Sequence, residues 1–362
     1  MTSETSNVRV ELGPRSYNIH IGSDCLEQFG ARMAIGDVSG HAILITDENV
    51  ESPHAEAVLA GLSSSQIQTD LVVVPAGEAS KSIDVAADLW SKLLQLGTDR
   101  RTRIVAVGGG VIGDLAGFIA ATFARGLEFV QVPTTLLAQV DSSVGGKVGI
   151  NLPQAKNMVG SFWQPQLVWI DTAVLATLPQ REFRAGLAEV VKYGMILDAD
   201  FFAWLEDHVD DLERRDDAAL RHVVARCCRL KADVVEQDEH ETSGLRVVLN
   251  YGHTFAHALE QVTGYGTLLH GEAVSIGMAC AARLAERLGR IDAELTARQS
   301  KLLTNLGLPV EFPDVDPEAI VEAMQHDKKS VAGRLRFVLP DRLGHVELVE
   351  DVPWQDAAII LD

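Results

Sequence analysis

A cluster of histidines marks the second half of the chain. His253 and His257 are four residues apart, and His270 precedes an Ala-rich, apolar segment that resembles the start of a helix. Residues four apart share one face of a helix, so the spacing predicts that the imidazoles of His253 and His257 point the same way. Such clusters are typical of a metal site, a proton relay or an anion site.

Charged side chains accompany the histidines. Glu189 and Lys192 are three residues apart in a helix-forming segment, which puts a carboxylate and an ammonium on one helix face. A surface ion pair is the ordinary interpretation. The apolar neighbours instead indicate partial burial, where a charge is costly and a functional role is the better explanation for keeping it. Lys231, Arg246 and Asn250 follow along the chain. A metal site among so many cations suits a doubly anionic substrate, such as one with phosphate and carboxylate groups.

A glycine-rich turn lies in the first half. Residues 108–114 read GGGVIGD and follow an apolar segment. Strand, glycine turn and helix is the order that suits phosphate binding, because glycines admit a pyrophosphate and the helix start offers free N–H groups. The spacing is not G-x-G-x-x-G, so a simple strand–helix turn is the alternative. Asp47, Glu78 and the pair Thr134 and Thr135 also follow short apolar strands, where ligands bind in open α/β sheets.

The elements that would position these residues alternate in the first half. Side-chain patterns predict a hairpin, then strands and helices in turn. The predicted strands are 8–12, 17–21, 42–46, 71–74, 104–107, 129–132 and 167–170, and the predicted helices are 82–96 and 111–124. This alternation favours a largely parallel sheet with helices on both faces.

The second half differs in composition and in its pattern of apolar residues. From residue 182 to about 325 the chain is rich in Ala, Leu, Glu and Arg with helical periodicity, and segments 335–339 and 345–349 resemble a hairpin. The sequence therefore predicts two domains. Residues 1–178 form an α/β, Rossmann-like nucleotide-binding domain, and residues 179–362 form a mainly α-helical metal-binding domain.

Composition limits the function classes. The 362 residues carry a net charge of −20, so there is no basic field to attract nucleic acid. No apolar stretch approaches the ~20 residues that span a membrane. The four cysteines have no C-x-x-C spacing, and the N-terminus has no signal-peptide pattern. We expect reduced thiols and a cytoplasmic protein that binds neither nucleic acid nor membrane.

Six motifs resemble those of the 3-dehydroquinate synthase family. They follow the family order, and the resemblance as a whole runs from about residue 10 to residue 350. They are GGGVIGDLAG, PTTLLAQVDSSVGGK, KNMVGSF, AEVVKYG, LNYGHTFAHALE and HGEAV. Their number and register make a chance agreement negligible.

The resemblance implies an activity. Family members convert 3-deoxy-D-arabino-heptulosonate 7-phosphate to 3-dehydroquinate and phosphate, in the shikimate route to aromatic amino acids. They are homodimers that use NAD and zinc or cobalt, with the active site between two domains. The sugar is oxidised transiently, phosphate is eliminated, hydride is returned, and an intramolecular aldol reaction closes the ring.

The resemblance also implies residue roles. The metal ligands would be Glu189, His253 and His270, which replaces the His253–His257 pair that spacing favours. Substrate contacts would be Lys156, Asn157, Lys192, Asn250, His257 and Lys328 (or its neighbour Lys329), with Asp141 beside the metal, Lys147, Lys231 and Arg246 at the carboxylate, and Arg125 from the partner subunit. The NAD contacts would be Asp47, Glu78, Lys81, Gly110, Asp114, Thr134, Thr135 and Thr177, together with Lys147 and Lys156.

Three alternatives stay open. A sister sugar-phosphate cyclase, such as a 2-deoxy-scyllo-inosose or 2-epi-valiolone synthase, would act on a substrate without the carboxylate. The residues that favour the dehydroquinate branch over it are Lys231 and Arg246, together with Asn250 and His257. A polyol dehydrogenase of the glycerol dehydrogenase type would accumulate NADH. An NAD-binding regulator with a structural metal would leave the lysines and arginines unexplained.

Overall fold

The computed structural model describes residues 5–34, 40–153, 155–264, 266–326 and 335–361. The strands are β1 Ser6–Val10, β2 Tyr17–Gly22, β3 His41–Asp47, β4 Gln68–Val74, β5 Arg103–Gly108, β6 Glu128–Pro133, β7 Lys147–Leu152, β8 Ala155–Phe162, β9 Leu167–Asp171, β10 Leu335–Arg342 and β11 His345–Val352. The helices are α1 Phe29–Met33, α2 Glu56–Ser64, α3 Ile83–Gln95, α4 Gly110–Thr122, α5 Gln180–Leu197, α6 Ala199–Asp207, α7 Val209–Glu213, α8 Asp217–Gln237, α9 His253–Thr263, α10 His270–Arg287, α11 Ala293–Asn305, α12 Pro317–His326 and α13 Trp354–Ile359.

A seven-stranded sheet organises the first part of the chain. Its strand order is β1-β2-β9-β6-β5-β3-β4. Only the β1–β2 pairing in it is antiparallel, and the remaining neighbours pair in parallel. The predicted parallel sheet is therefore confirmed, and so is the hairpin at its edge. Because β9, β6, β5, β3 and β4 run the same way, the residues that follow them meet at one edge of the sheet.

Helices α3 and α4 belong to the core that forms with this sheet. Ile43 and Ile45 of β3 and Ile104 of β5 share one cluster of buried residues with Leu89 and Leu93 of α3. The Ser82 hydroxyl caps α3 by accepting a hydrogen bond from the backbone N–H of Val85, and Gly97 follows its end.

The β7–β8 hairpin was not anticipated from the sequence. Lys147 pairs with Phe162 and Gly149 with Gly160 in an antiparallel ladder outside the main sheet. Val148 and Ile150 are buried in the same core as the apolar residues of α4. The hairpin thereby gives a packed support to the polar segment that carries the lysines predicted to contact substrate.

The chain divides into two compact units. One consists of residues 1–178 and 220–240, and the other of 179–219 and 241–362. Residues 220–240 differ from the expected division, which placed them in the second domain. Their contacts explain why: Arg229 donates to the carbonyl oxygen of Arg9 at 2.6 Å, and Arg15 donates to the carboxylate of Glu239. Amphipathic periodicity predicts a helix here but not the surface it packs on.

The second unit is mainly helical, as predicted. Helix α10 packs against both α5 and α9, and most of its side chains from Ala273 to Ala285 are buried. The predicted β10–β11 hairpin completes this unit, and the ring of Phe337 stacks on that of Phe255 with centroids 5.1 Å apart. Among the described residues, no helix is long and apolar enough to cross a membrane.

Candidate functional site

Three potential metal ligands converge in the second unit. Glu189 lies in α5, His253 begins α9 and His270 begins α10. The Nε2 atoms of both histidines lie 3.7 Å from Oε1 of Glu189. One nitrogen or oxygen from each residue fits within 4.8 Å of the others. Two imidazoles and one carboxylate, with a fourth position left for water or substrate, are a donor set of catalytic zinc sites.

Backbone packing sets the positions of the two histidines. Gly252 precedes His253 with φ of 80°, and a Cβ there would lie 2.8 Å from the backbone nitrogen of Met278 in α10. Glu272 caps α10 by accepting a hydrogen bond from the N–H of Leu269 at 2.8 Å. The start of α9 therefore packs on α10, and the ring centroids of His253 and His270 lie 5.4 Å apart.

Groups behind the histidines select the ring nitrogen that faces the ligand position. The Tyr251 carbonyl oxygen lies 3.1 Å from Nδ1 of His253, and since a carbonyl only accepts, Nδ1 is the protonated nitrogen. Oε2 of buried Glu260 lies 3.7 Å from Nδ1 of His270. In both rings Nε2 is thus the atom left to bind a metal. Glu260 was missed by sequence analysis, although its position seven residues after His253 puts both on one helix face.

Electrostatics differ between the two histidines. Burial, followed by the nearby Lys192 ammonium, lowers the pKa of His253 well below its ordinary value, so this imidazole is neutral. Burial also acts to lower the pKa of His270, but Glu189 and Glu260 outweigh it and raise that pKa to about 9. Lys192 and Glu189, each no more than 2% exposed, form a buried ion pair. The predicted pair is therefore not a surface salt bridge.

His257 is close to this group without belonging to it. Its ring centroid lies 5.5 Å from that of His253, and the two rings are nearly perpendicular. Its side chain is exposed, whereas His253 is buried. The pairing of His253 with His257 that spacing favours is therefore replaced by a triad drawn from three helices.

A second group of possible ligands already has cationic partners. Asp341, His345 and Glu347 lie close together on the β10–β11 hairpin. Arg290 donates to the Glu347 carboxylate at 2.7 Å, and Arg342 donates to the Asp341 carboxylate at 3.0 Å. A metal there would compete with two guanidinium groups, so the triad of Glu189 is the better candidate.

The other cations predicted for the substrate have distinct surroundings. In the second unit, Arg246 is 2% exposed, with its Nε 3.6 Å from a Glu241 carboxylate oxygen, and Asn250 is half-buried. In the first unit, Lys231 donates 2.8 Å hydrogen bonds to the side chain and the carbonyl oxygen of Asp141. Lys328 and Lys329 lie outside the described residues.

The carboxyl edge of the sheet gathers the predicted nucleotide contacts. Asp47 ends β3, and residues 108–110 join β5 to the thirteen-residue helix α4. The Thr134 N–H donates to the Gly108 carbonyl oxygen at 2.9 Å, while the buried Thr134 hydroxyl has no hydrogen-bond partner within the described ranges. A Cβ at Gly109 would lie 3.0 Å from the Thr135 methyl group. Small residues and a helix start thus form a cradle that suits a pyrophosphate.

Further polar groups surround this edge. Burial raises the pKa of the Asp47 carboxyl, while hydrogen bonds from backbone N–H groups oppose that shift. The Thr177 hydroxyl donates to the Val174 carbonyl oxygen and lies 2.7 Å from Nε2 of His54. His54 is a neighbour that sequence analysis missed.

A buried lysine links this edge to the β7–β8 hairpin. The Lys81 ammonium donates to Asp114 at 2.7 Å and to the Asn157 side-chain oxygen at 2.6 Å. Burial raises the pKa of Asp114 against the opposing effect of Lys81. The hairpin also carries Lys147, which is exposed, and Lys156, which is half-buried.

Arg125 occupies an unusual turn after α4. Ala124, Arg125 and Gly126 have φ values of 50°, 70° and 125°, so three successive residues are left-handed. The Arg125 side chain is exposed, and it has no ion-pair partner among the residues that the structure describes. Such a strained, exposed turn is typical of a functional position.

Family models match most of the chain. Residues 71–185 match the model of the 3-dehydroquinate synthase N-terminal region, and residues 186–330 match that of the C-terminal region. The chain belongs to the 3-dehydroquinate synthase family. The 3-dehydroquinate synthase of Rhodopirellula baltica is 52% identical over 98% of this chain and 96% of its own. That of Desulforamulus reducens is 48% identical over 98% of this chain and 99% of its own.

Solved structures share the fold of this family member. A 2-deoxy-scyllo-inosose synthase, complexed with carbaglucose-6-phosphate, NAD+ and Co2+, has a TM-score of 0.90 at 28% identity, covering 98% of this chain and 99% of its own. The 2-epi-5-epi-valiolone synthase of Streptomyces hygroscopicus subsp. jinggangensis, with NAD+ and Zn2+ bound, has a TM-score of 0.87 at 29% identity, covering 97% and 96%. The predicted combination of a Rossmann-like domain with a helical domain is thus confirmed.

Proposed function

We propose that the chain is a 3-dehydroquinate synthase, an enzyme that converts 3-deoxy-D-arabino-heptulosonate 7-phosphate to 3-dehydroquinate and phosphate. The net reaction breaks a C–O bond to phosphate and makes the C–C bond of a carbocycle. The observation that carries the proposal is the convergence of Glu189, His253 and His270 in a chain of this family. The enzyme would serve the shikimate route to chorismate and aromatic amino acids.

A divalent metal fits the triad of Glu189. Two imidazoles and a carboxylate suit Zn2+ or Co2+, and the neutral state of His253 leaves its lone pair available. A metal there would supply a Lewis acid that lowers the pKa of the substrate hydroxyl to be oxidised. Glu260 and the Tyr251 carbonyl would hold the two rings in orientation.

NAD fits the carboxyl edge of the sheet. The start of α4 at Gly110 would face the pyrophosphate, and Asp47 or Glu78 would accept hydrogen bonds from ribose hydroxyls. The Thr134 hydroxyl, which has no hydrogen-bond partner among the described residues, supports this assignment. NAD would supply a hydride acceptor that is regenerated within each turnover. The remaining proposed contacts are Lys81, Asp114, Thr135, Lys147, Lys156 and Thr177.

Cations would bind the anionic ends of the substrate. Arg246 would pair with the carboxylate, because a guanidinium matches the two oxygens of that group. His257, exposed near the triad, would contact the phosphate and handle protons, and Lys192 and Asn250 would hold hydroxyls. From the first unit, Lys147, Lys156, Asn157, Lys231 and Asp141 would contribute, with Lys328 as a further contact.

The active form would be a homodimer in the cytoplasm. Arg125 supports the dimer, because it is exposed on a constrained turn and has no ion-pair partner among the described residues of its own chain. The four cysteines are all buried and none of them forms a disulfide, which fits a reducing compartment.

The sister cyclases are the second candidate, because two solved structures of such enzymes share the fold of this chain with TM-scores of 0.90 and 0.87. The sequence relatives favour dehydroquinate synthesis, since identities of 43–52% to curated 3-dehydroquinate synthases exceed those of 28–29% to the sister enzymes. A sugar phosphate without a carboxylate would also lack the group that the buried Arg246 is proposed to bind.

Phosphate release tests the proposal. The protein is incubated with 3-deoxy-D-arabino-heptulosonate 7-phosphate and NAD+, before and after chelator treatment. We expect release that stops with chelator, returns with Zn2+ or Co2+, and leaves no net NADH at 340 nm, where about one hydride per turnover would otherwise accumulate. Release from a six-carbon or seven-carbon sugar phosphate alone would favour a sister cyclase. NADH accumulation with a polyol would favour a dehydrogenase.

A further inference from the structure

Asn151, at the end of β7, joins two groups that have separate proposed roles. Its side-chain nitrogen donates to Oε1 of Glu78 at 2.7 Å. Its side-chain oxygen accepts a hydrogen bond from the backbone N–H of Asn157 at 2.9 Å. Its own backbone N–H donates to the Lys81 carbonyl oxygen at 2.7 Å. One residue thus contacts the loop after β4 and the returning strand of the hairpin.

Asn157 is held at two points. Its backbone has φ of 55°, a left-handed conformation that asparagine tolerates better than most residues. Asn151 fixes the backbone N–H, and the Lys81 ammonium donates to the side-chain oxygen. Because an ammonium only donates, the amide orientation follows, and the Asn157 side-chain nitrogen is the group left to donate to a ligand.

Glu78 is similarly oriented. Its contact with Asn151 and the 3.8 Å approach of the Lys81 ammonium both involve Oε1. Oε2 is therefore the oxygen that can accept hydrogen bonds from a ribose. A closed circuit of polar contacts within the first unit joins Glu78, Asn151, Asn157 and Lys81. Lys81 is only 4% exposed. A displacement of Glu78 would disturb both anchors of Asn157.

We propose that Asn151 is a positioning residue that couples the NAD contact Glu78 to the substrate contact Asn157. This inference rests on the function proposed above. A ligand that fixes Glu78 removes part of the ordering cost at Asn157, so NAD and the phosphorylated substrate bind with positive cooperativity. By linkage, each ligand strengthens the other by the same factor.

Two variants separate the arms of the circuit. Asn151→Ala removes both side-chain hydrogen bonds. Asn151→Asp keeps an oxygen that accepts the Asn157 N–H, but it replaces the donor to Glu78 with a carboxylate, which repels that side chain. Asn7→Ala is the matched control, since Asn7 lies on β1 in the same unit and contacts the ring of His20.

The experiment measures NAD+ affinity by calorimetry, with and without a phosphonate analogue of the substrate, whose C–P bond cannot be eliminated. The metal-loaded full-length protein should bind NAD+ roughly 5- to 150-fold more tightly with the analogue present. This factor should fall to about 1 in both Asn151 variants and stay unchanged in Asn7→Ala. Without NAD+, Asn151→Ala should bind the analogue roughly 2- to 13-fold more weakly, whereas Asn151→Asp should bind it as wild type does. Circular dichroism verifies folding.

The outcomes distinguish this inference from the proposed function. If the wild type binds neither ligand and releases no phosphate, the proposed function fails. If the wild type is active but shows no cooperativity, or if Asn151→Ala retains it, the coupling role of Asn151 is overturned. An equal loss of analogue binding in both variants would also contradict the two-arm arrangement.

Discussion

Gly271 in α10 lies directly against the carbonyl oxygen of Ala185 in α5. A Cβ on Gly271 would stand 1.8 Å from that oxygen, a distance at which backbone must move. Ala185 is one helical turn before Glu189, and Gly271 follows His270. The spacing between these helices therefore sets the spacing between the carboxylate and imidazole ligands.

Gly271→Ala should weaken metal binding by pushing α10 away from α5. We expect a loss of roughly 10- to 100-fold in metal affinity, the size seen when ligand orientation is disturbed, and about 1–3 kcal/mol in unfolding free energy. Chelator competition measures the first quantity, and denaturant unfolding the second. Ala273→Gly is the control, because it weakens α10 by about 1 kcal/mol without a new clash. Equal metal affinity in both variants would contradict the spacing argument.

His270→Ala should lose tightly held metal and nearly all turnover while remaining folded. The wild type should contain about one equivalent of metal per chain, and added Zn2+ should raise its melting temperature. Neither property should survive in the variant. His345→Ala is the matched control, because His345 belongs to the arginine-neutralised group on the β10–β11 hairpin. Metal content measured after desalting decides the assignment, and full occupancy in His270→Ala would refute it.

Local sequence patterns predict the helices and strands of this chain better than they predict which elements pack together. The predicted strand 104–107 appears as Arg103–Gly108, and the hairpin after residue 334 appears as β10 and β11. Apolar patterns and glycines are local signals, so they are readable along the chain. The β7–β8 hairpin was missed because only β7 alternates, with Val148, Ile150 and Leu152 on one face, whereas β8 mixes polar, glycine and apolar residues without a strand period.

The site shows the same contrast. Helical spacing grouped His253 with His257, whereas the structure groups His253 with His270 and with Glu189, from another helix. Spacing within one helix cannot show which residue of a different helix comes near. Motif resemblance brought these three together, because a family pattern carries tertiary information that periodicity lacks. The Asn151 contacts were beyond both approaches, since they depend on the left-handed backbone of Asn157.

Arg246→Ala should raise the Michaelis constant for the substrate through loss of a charge-assisted pair. The expected cost is about 1.5–3 kcal/mol, or roughly 10- to 150-fold. Arg246→Lys should recover only part of it, because an ammonium lacks the planar fork. Inorganic phosphate, used as a competitive inhibitor without a carboxylate, should inhibit the variant as it inhibits wild type. His257→Ala should give the reverse pattern, with weaker inhibition by phosphate. An unchanged Michaelis constant in Arg246→Ala would show that Arg246 does not bind the substrate carboxylate.

Arg125 allows a test of the dimer by activity rather than by molecular mass. If Arg125 acts in the partner's site, Arg125→Ala and His270→Ala chains complement each other. In a heterodimer of the two, the chain with the intact triad receives an intact arginine from its partner, so one site is complete. Differently tagged chains, co-expressed and purified over both tags, should show about half the wild-type activity per dimer.

The control for this test pairs two defects expected to act within one chain. A heterodimer of Arg246→Ala with His270→Ala has a defect in each site, so its activity should stay at the level of the parent variants. If the Arg125→Ala heterodimer is equally inactive, Arg125 serves its own chain or none. The left-handed backbone of Arg125 would then need an explanation within its own unit.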